Sequence, residues 1–511
     1  MLLLRQRLAG PTLQILVEFA VFRSLAALSL IAGFASVAMG DDAAPKTKRP
    51  NIVWLIAENI GHELGCYGAK HVQTPNIDRL AAEGTRYTRA FSTNPACAPS
   101  RSAFFTGVYQ TTTDTHHMRS HRTDDFRLPE GVRPITHRLR DAGYFTANIK
   151  TIGTNVVGTG KLDLNFVNEG PIYESDDWAS LKSRQPFFAV VNMPECEYDI
   201  YDRRSAEKPR VAWVGEAEHP QIATPSEVEP PPYYPEHPVV REEWCRYLNS
   251  ISGMDRRIGR VLAQLQADGT ADDTIVFFFA DNGRLEARGI HWCYDSGLKV
   301  PLIVRWPKNF ASPPQITPGA TRDELVSLLD VTATTLEAAG VERPKMMHGR
   351  NLLGEQVDAP REFVVSARDR IDETALRIRT VRDGRYRYIR NFAPGPTFAS
   401  LNRYKEKCFL VMPLMRELQT AGKLNGPQME LMQRRGPSEE LYDLEADPHE
   451  LHNLAAATDP AHRGALLRLR GILDAWMIET NDRGAIPESP ASIGPIEQEM
   501  HDWFGTPAWA R

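Results

Sequence analysis

The feature that most constrains the fold of this chain is a series of continuous apolar runs that alternate with helical patterns. Residues 51–57 (Asn-Ile-Val-Trp-Leu-Ile-Ala) form such a run with β-branched residues, which predicts a strand buried on both faces. Similar runs lie at 187–192, 274–280 and 302–305, and helical patterns lie at 74–84, 242–268 and 321–340. This alternation predicts an α/β fold, with a parallel or mostly parallel sheet covered by helices on both faces.

After about residue 360 the pattern changes. Segments 375–381 and 385–391 flank Asp383-Gly384, a pair typical of a tight β-hairpin turn, and a helical pattern follows near 459–479. We therefore predict a larger α/β domain at 41–360 and a smaller α+β domain at 361–511. The proline-rich stretch at 205–240 is long for a connection inside a domain, and we expect a binding loop or rim there.

The first 40 residues have the composition of a secretory signal. Arg5, Arg7 and Arg23 precede an apolar run at 25–39, which small residues follow. The run is shorter than the ~20 residues that span a bilayer, so we predict a cleaved signal peptide at 1–40 and no stable membrane insertion. The mature protein is then secreted or periplasmic. A formal charge of −5, from 60 basic and 65 acidic residues, argues against a nucleic-acid binder.

Polar side chains directly follow two of the predicted strands. Glu58-Asn59 comes after the run at 51–57, and Asp281-Asn282 comes after the run at 274–280. Open parallel sheets bind ligands at the carboxyl ends of their strands, where these four side-chain oxygens can converge on a hard cation such as Ca²⁺. The alternative is that they form turns, as Asp and Asn commonly do after strands.

The segment Cys97-Ala-Pro-Ser-Arg101 predicts an anion site at the start of a helix. Pro99 suits a first helical turn, so Cys97 lies at or just before the helix start. Free backbone N–H groups and the helix dipole favour an anion there, and Arg101 adds a planar cation. A lone cysteine is otherwise a small buried hydrophobic residue.

This segment, followed by Thr106-Gly107, resembles the signature of the type I sulfatases of the alkaline-phosphatase superfamily. Other stretches resemble that family in the expected order, at 50–57, 74–80, 281–283, 300–303 and 441–449. Residues 453–454 and 476–482 resemble the heparan N-sulfatase (sulfamidase) branch. The resemblance implies an alkaline-phosphatase-like mixed, mostly parallel sheet sandwiched by helices, with a smaller C-terminal α+β domain.

The resemblance also implies hydrolysis of sulfate esters, or of sulfamate, on a sulfated carbohydrate. Cys97 would be oxidised to Cα-formylglycine (3-oxoalanine) by a formylglycine-generating or anaerobic maturation enzyme. One hydroxyl of the hydrated aldehyde attacks sulfur and the other then expels sulfate. Arg101 would hold this group, and Lys161 would bind the sulfate, with Lys150 as the alternative lysine. The implied Ca²⁺ ligands are Glu58, Asn59, Asp281, Asn282 and residue 97.

The chain departs from the family pattern at three places. The first metal pair is Glu58-Asn59 instead of two aspartates, residues 192–197 contain no histidine, and Ile290 stands where a lysine is common. The proton donor to the leaving group therefore stays open among Glu195, Glu197 and His291.

Basic residues elsewhere are candidates for the substrate pocket. Arg288 is one, since it can replace the lysine missing at 290, and His117 is another, with His116 and His121 beside it. Eight arginines between 368 and 390, including Arg368 and Arg370, predict a basic hairpin suited to an anionic glycan. The alternative is the polar face of an exposed hairpin.

Two other functions fit the same residues. One is a phosphodiesterase or phosphonate monoester hydrolase of the superfamily, which can share the modified cysteine. The other is a non-catalytic glycan-binding protein, which the three departures favour and the intact Cys97 segment opposes.

Overall fold

A computed structural model describes residues 48–121, 124–198, 214–392, 398–433 and 436–510. The predicted signal peptide at 1–40 and the first part of the proline-rich stretch, up to residue 213, lie outside these residues. The later part of that stretch, at 219–237, is irregular, as predicted.

The larger sheet has nine strands and is mostly parallel. Its order is β4-β3-β6-β1-β7-β8-β2-β9, with β5 beside β3. β1 runs parallel to β6 and β7, and β8 runs antiparallel to both of its neighbours. The strands are β1 Asn51–Ala57, β2 Thr85–Phe91, β3 Phe145–Ile152, β4 Asn155–Val156, β5 Ser175–Asp177, β6 Phe187–Met193, β7 Thr274–Ala280, β8 Lys299–Arg305 and β9 Thr321–Ser327.

Helices flank this sheet, as predicted. They are α1 Pro75–Glu83, α2 Cys97–Thr106, α3 Ile135–Asp141, α4 Pro238–Ala267, α5 Asp295–Leu298 and α6 Leu328–Ala338. Trp54 of β1 lies at the centre of the core, edge-on to the rings of Phe104, Phe188 and Phe279. Across the described ranges, no helix combines the length and the apolarity that crossing a bilayer requires.

The helix predicted at 321–340 is wrong in its first half. Residues Thr321–Ser327 form strand β9 because their backbone pairs in parallel with β2. The helix starts only after Ser327, whose hydroxyl and the Asp330 carboxylate form a capping box. Pairing with a strand distant in sequence outweighs the local helical pattern.

A second sheet lies in the C-terminal region and is antiparallel, in the order β10-β11-β12-β13. The predicted hairpin is confirmed as β11 and β12, and its turn is closed by a bond from the Asp383 N–H to the Tyr386 carbonyl. The boundary predicted near residue 360 falls between α6 and β10, and the two-domain division stays a prediction. The elements are β10 Val364–Arg368, β11 Ile378–Arg382, β12 Tyr386–Asn391, β13 Glu439–Asp443, α7 Arg403–Cys408, α8 Val411–Thr420, α9 Gly426–Leu431, α10 Pro460–Glu479 and α11 Pro490–Phe504.

Candidate active site

Helix α2 places Cys97 at its first turn, where the sequence predicted it. Every residue of α2 is buried, and the helix ends at Gly107, whose φ of 71° lies in the left-handed region that favours glycine. The Ser100 hydroxyl donates to the carbonyl of Asp281 at 2.6 Å. This bond holds the start of α2 against the carboxyl end of β7.

Arg101 joins the carboxyl ends of three neighbouring strands. Its guanidinium donates to Glu58 Oε1 at 2.6 Å after β1, to Asp281 Oδ2 at 3.0 Å after β7, and to Asn192 Oδ1 at 2.8 Å on β6. Arg101, Glu58 and Asp281 are all fully buried. A planar guanidinium with several fixed donors suits this arrangement, which orients both carboxylates.

The five residues predicted as metal ligands come together at this edge of the sheet. Ligand atoms of Glu58, Cys97 and Asp281 all lie within 4.8 Å of one another. Asn282 donates from Nδ2 to Asn59 Oδ1 at 2.9 Å, and its own buried Oδ1 has no hydrogen-bond partner. Carboxylate and amide oxygens are the ligands that Ca²⁺ prefers, so the donor set and the orphaned Asn282 oxygen fit such an ion.

Burial controls the protonation of this cluster. It raises the pKa of Glu58 to about 7, although Arg101 and Lys161 oppose the shift. It also raises the pKa of the Cys97 thiol well above its ordinary value. An unmodified Cys97 is therefore a neutral thiol and a poor nucleophile.

Lys161, rather than Lys150, reaches the cluster. Its Nζ lies 2.7 Å from Glu58 Oε2 and 2.9 Å from Glu197 Oε2. Burial disfavours its charge, but the nearby Glu197 and Glu58 carboxylates outweigh burial and raise the pKa of Lys161 well above the ordinary value. Lys150 is half exposed and pairs with Asp176 at 2.9 Å, away from the site.

A cavity of about 820 Å³ opens beside Cys97. Its charged lining includes Glu58, Lys161 and Glu197. It also includes Asp163 and Arg119, which no sequence motif indicated. No histidine lines the described part of this cavity. The apolar and aromatic lining comprises Met118, Leu162, Leu164, Phe166, Ile172, Pro194, Tyr198, Val214 and Trp503.

The three candidates for the proton donor differ in access to the cavity. Glu197 lines it, and burial raises the pKa of Glu197 despite Lys161. Glu195 lies outside the lining and pairs with Arg257. His291 is buried, and its backbone N–H donates to the Pro95 carbonyl. Burial keeps the pKa of its ring well below the ordinary value.

Arg288 and Arg368 do not reach the cavity, which corrects their predicted place at the substrate. Arg288 is buried, donates to the carbonyls of His449 and Glu450, and packs on Tyr294 with its Cζ 3.8 Å from the ring centroid. Arg368 is buried and donates to the His291 carbonyl at 2.6 Å. Both guanidiniums satisfy backbone carbonyls inside the protein.

His117 and Arg370 also lie outside the cavity lining. Arg370 is buried, binds both carboxylate oxygens of Glu488 at 2.5 and 2.7 Å, and donates to the Met118 carbonyl. The ring of His117 accepts from the Arg370 N–H at 3.3 Å, and burial lowers the pKa of His117 to about 4. These side chains position the segment next to Met118 instead of facing a substrate.

The arginine-rich hairpin is largely an internal ion-pair network. Arg379 is fully buried and binds Asp482 at 2.7 and 2.8 Å. Arg387 is also buried and pairs with Asp295 and Glu450. The structure therefore supports neither a glycan-binding surface nor an exposed polar face for this hairpin, because its charged side chains join the second sheet to other elements.

The sequence matches the Sulfatase family over residues 50–341. It is also 33% identical to an ulvan-active sulfatase of Formosa agariphila, over 86% of this chain and 77% of that protein. The chain belongs to the sulfatase family. It is a sulfuric ester hydrolase, and this membership favours an enzyme over a non-catalytic glycan-binding protein.

Further comparisons give another sulfatase relative and two solved structures that share the fold. The human N-sulphoglucosamine sulphohydrolase is 27% identical over 88% of this chain and 93% of that protein. A putative sulfatase of Bacteroides thetaiotaomicron superposes with a TM-score of 0.58 at 20% identity, covering 87% of this sulfatase and 96% of that chain. A phosphonate monoester hydrolase from Silicibacter pomeroyi shares the fold, with a TM-score of 0.55 at 17% identity. The match covers 87% of this chain and 98% of that chain.

Proposed function

We propose that this sulfatase releases sulfate from a sulfated carbohydrate, with a formylglycine derived from Cys97 and a bound Ca²⁺ ion. The observation that carries the proposal is the meeting of Cys97, two buried carboxylates and Lys161 at one edge of the sheet beside a large cavity. Glu58, Asn59, Asp281 and Asn282 would hold the ion, with residue 97 beside them. The hydrated formyl group supplies the nucleophilic oxygen, and the ion offsets the negative charge of the sulfate.

The chain's own residues have separate roles in this proposal. Arg101 keeps the Glu58 and Asp281 carboxylates in fixed orientations, since it binds both at 3.0 Å or less inside the protein. Lys161 binds a sulfate oxygen from the cavity wall and stabilises the charge that builds up during transfer. Glu197 holds a proton at a carboxyl oxygen and donates it to the leaving oxygen or nitrogen.

The substrate class is proposed from the relatives and from the cavity. The two relatives are named for ulvan and for N-sulphoglucosamine, and both names denote sulfated saccharides. The lining combines charged groups with apolar side chains, as expected for a ligand that has a charged substituent on a sugar ring. We also propose export, which rests on the signal pattern at 1–40.

The decisive experiment follows residue 97 and sulfate release in the same preparation. The protein is produced with a maturation enzyme and assayed on a saccharide panel of ulvan oligosaccharides, N-sulphoglucosamine and N-acetylgalactosamine 6-sulfate. We expect the peptide that contains residue 97 to carry the mass of formylglycine, while the peptides of the other five cysteines keep their thiols. Cys97→Ala should release no sulfate. Active protein with an unmodified Cys97 thiol throughout would exclude the mechanism.

A second candidate is phosphonate monoester hydrolysis, which the shared fold with the Silicibacter pomeroyi enzyme favours. Phenyl sulfate and a phenyl phosphonate monoester, compared with the same matured protein, separate the two. We expect a higher kcat/KM for the sulfate. The reverse order would replace the sulfatase proposal by this one.

A further inference from the structure

The last helix of the described chain contributes an aromatic wall to the cavity. Trp503 lies in the final turn of α11 and lines the same cavity as Cys97 and Lys161. Its position in the sequence is remote from every segment that resembles the sulfatase signature. The tertiary structure alone brings this indole to the site.

The indole contacts Arg119, and neighbouring residues of α11 hold the helix in place. The guanidinium of Arg119 lies 5.6 Å from the centre of the Trp503 ring, a cation–π distance. Met500, one turn earlier in α11, is fully buried with its sulfur 3.8 Å from Arg119 Nη1. The neighbouring Phe504 packs edge-on against Tyr404 at 5.9 Å, which anchors the end of the helix.

Arg119 itself has a backbone conformation that is costly for its residue type. Its φ is 61°, in the left-handed region, and its side chain pairs with Asp372. Such conformations persist where the surrounding structure enforces them and are concentrated at ligand sites. The Arg119 guanidinium contacts both the Asp372 carboxylate and the Trp503 ring, and the second contact positions the indole.

The lining of the cavity divides by chemistry. The charged lining comprises Glu58, Arg119, Lys161, Asp163 and Glu197, and Leu162, Phe166 and Ile172 join Trp503 in the apolar lining. A sulfated sugar has the same two parts, a charged sulfate and a ring whose C–H faces pack against aromatic rings. A rigid indole provides large contact area at a low cost in conformational entropy.

We propose that Trp503 is the platform on which the sugar ring that carries the scissile sulfate packs, so that α11 determines specificity. The proposal rests on the proposed function, because it takes the sulfated saccharide as the occupant of the cavity. Trp503 binds the ring and leaves the chemistry to the groups around Cys97. Its loss weakens saccharide binding in the ground state and the transition state alike.

The test compares Trp503→Ala and Trp503→Phe with Trp509→Ala, all in the matured full-length protein. Trp509 is a matched control, since it lies in the same C-terminal segment but packs on Arg416, whose Cζ is 3.7 Å from its ring centroid, outside the cavity lining. For a turned-over member of the saccharide panel, Trp503→Ala should raise KM at least tenfold with kcat within threefold of wild type. Trp503→Phe should recover most of the affinity, and Trp509→Ala should resemble wild type.

Inorganic sulfate as a competitive inhibitor separates recognition of the ring from damage to the site. Its Ki should stay within twofold in Trp503→Ala, because sulfate has no ring to stack. An unchanged KM, or a Ki that rises as much as KM, would overturn the proposal for Trp503 and leave the sulfatase function intact. If wild type releases no sulfate from any panel member, the proposed function fails separately. In that case calorimetry measures binding of the saccharide panel to wild type and to Trp503→Ala. Equal affinities in the two proteins, or no binding to either, would overturn the role of Trp503.

Discussion

Replacement of Lys161 by alanine is the sharpest test of the site, because the chain offers a matched control in Lys150. Lys150 lies in β3 and Lys161 in the segment after β4, and both pair with a carboxylate at about the same distance. Lys161 does so at the cavity, with 19% of its side chain exposed, whereas Lys150 does so on the surface, with 51% exposed. Only Lys161→Ala removes a cation from the place where the sulfate would bind.

The expected magnitude follows from the position of the amino group. A donor that faces developing charge in a largely dry site contributes about 2.7–4 kcal/mol to transition-state stabilisation, or roughly 10²–10³ in rate. The Lys150–Asp176 pair lies at the surface, where water screens it, and it contributes nothing to catalysis. Lys161→Ala should therefore lower kcat/KM by about two to three orders of magnitude, and Lys150→Ala should stay within twofold of wild type.

The assay is sulfate release from a turned-over member of the saccharide panel, at a temperature well below the melting point of each variant. Melting temperatures measured in parallel separate loss of function from loss of folded protein. Lys161→Arg keeps the charge but changes its shape, and we expect partial activity. If folded Lys161→Ala keeps kcat/KM within fivefold of wild type, or Lys150→Ala loses as much, the assigned role of Lys161 is refuted.

Three further predictions concern the ion and the stability of the fold. Chelation by EDTA should lower the melting temperature and abolish activity, and Ca²⁺ at 100 times its Kd should restore about 2.7 kcal/mol of stability in wild type. Asp281→Ala should gain no stability from added Ca²⁺, and a gain equal to that of wild type would exclude this metal site. Arg387→Ala should lose about 3–5 kcal/mol on urea unfolding because it leaves the buried Glu450 without its ion-pair partner and Asp295 with Arg382 alone. Arg385 is half exposed, so Arg385→Ala should lose much less stability than Arg387→Ala, and similar losses would contradict the ion-pair network. Burial raises the pKa of Glu243 to about 7, so its folded carboxyl keeps a proton that the unfolded chain releases above about pH 4.5. Glu243 should then contribute roughly 3 kcal/mol to a fall in stability between pH 4.5 and 7, and urea unfolding across this range should show a fall that is smaller by that amount in Glu243→Gln than in wild type. An identical pH dependence in both would show that another group titrates.

Much of the architecture could be predicted because the information lies in contiguous segments. The apolar run at 51–57 becomes β1, and the segment with Pro99 becomes the start of α2. Residues that directly follow parallel strands must meet at one edge of the sheet, so Glu58 and Asp281 converge as expected. The position of Cys97 beside them follows from the same local rule for the start of a helix.

The tertiary structure decided which charges face the cavity and which are buried elsewhere. The arginines of the hairpin predict a basic surface when only the sequence is considered. In the structure Arg379 and Arg387 are buried, because Asp482 and Asp295 from distant segments pair with them. The resemblance favours Lys161 and leaves Lys150 as the alternative, and the path of the chain between β3 and β6 brings Lys161 to Glu58.

The sequence by itself therefore determined the fold class, the strand ends and the Cys97 helix, since each depends on neighbours along the chain. The cavity wall, with Arg119 and Trp503, was decided only in three dimensions. The physical reason is that the periodicity of apolar residues indicates which face of a helix or strand is buried. The pairing of a charge or the lining of a pocket depends on groups that long-range packing brings within a few ångströms.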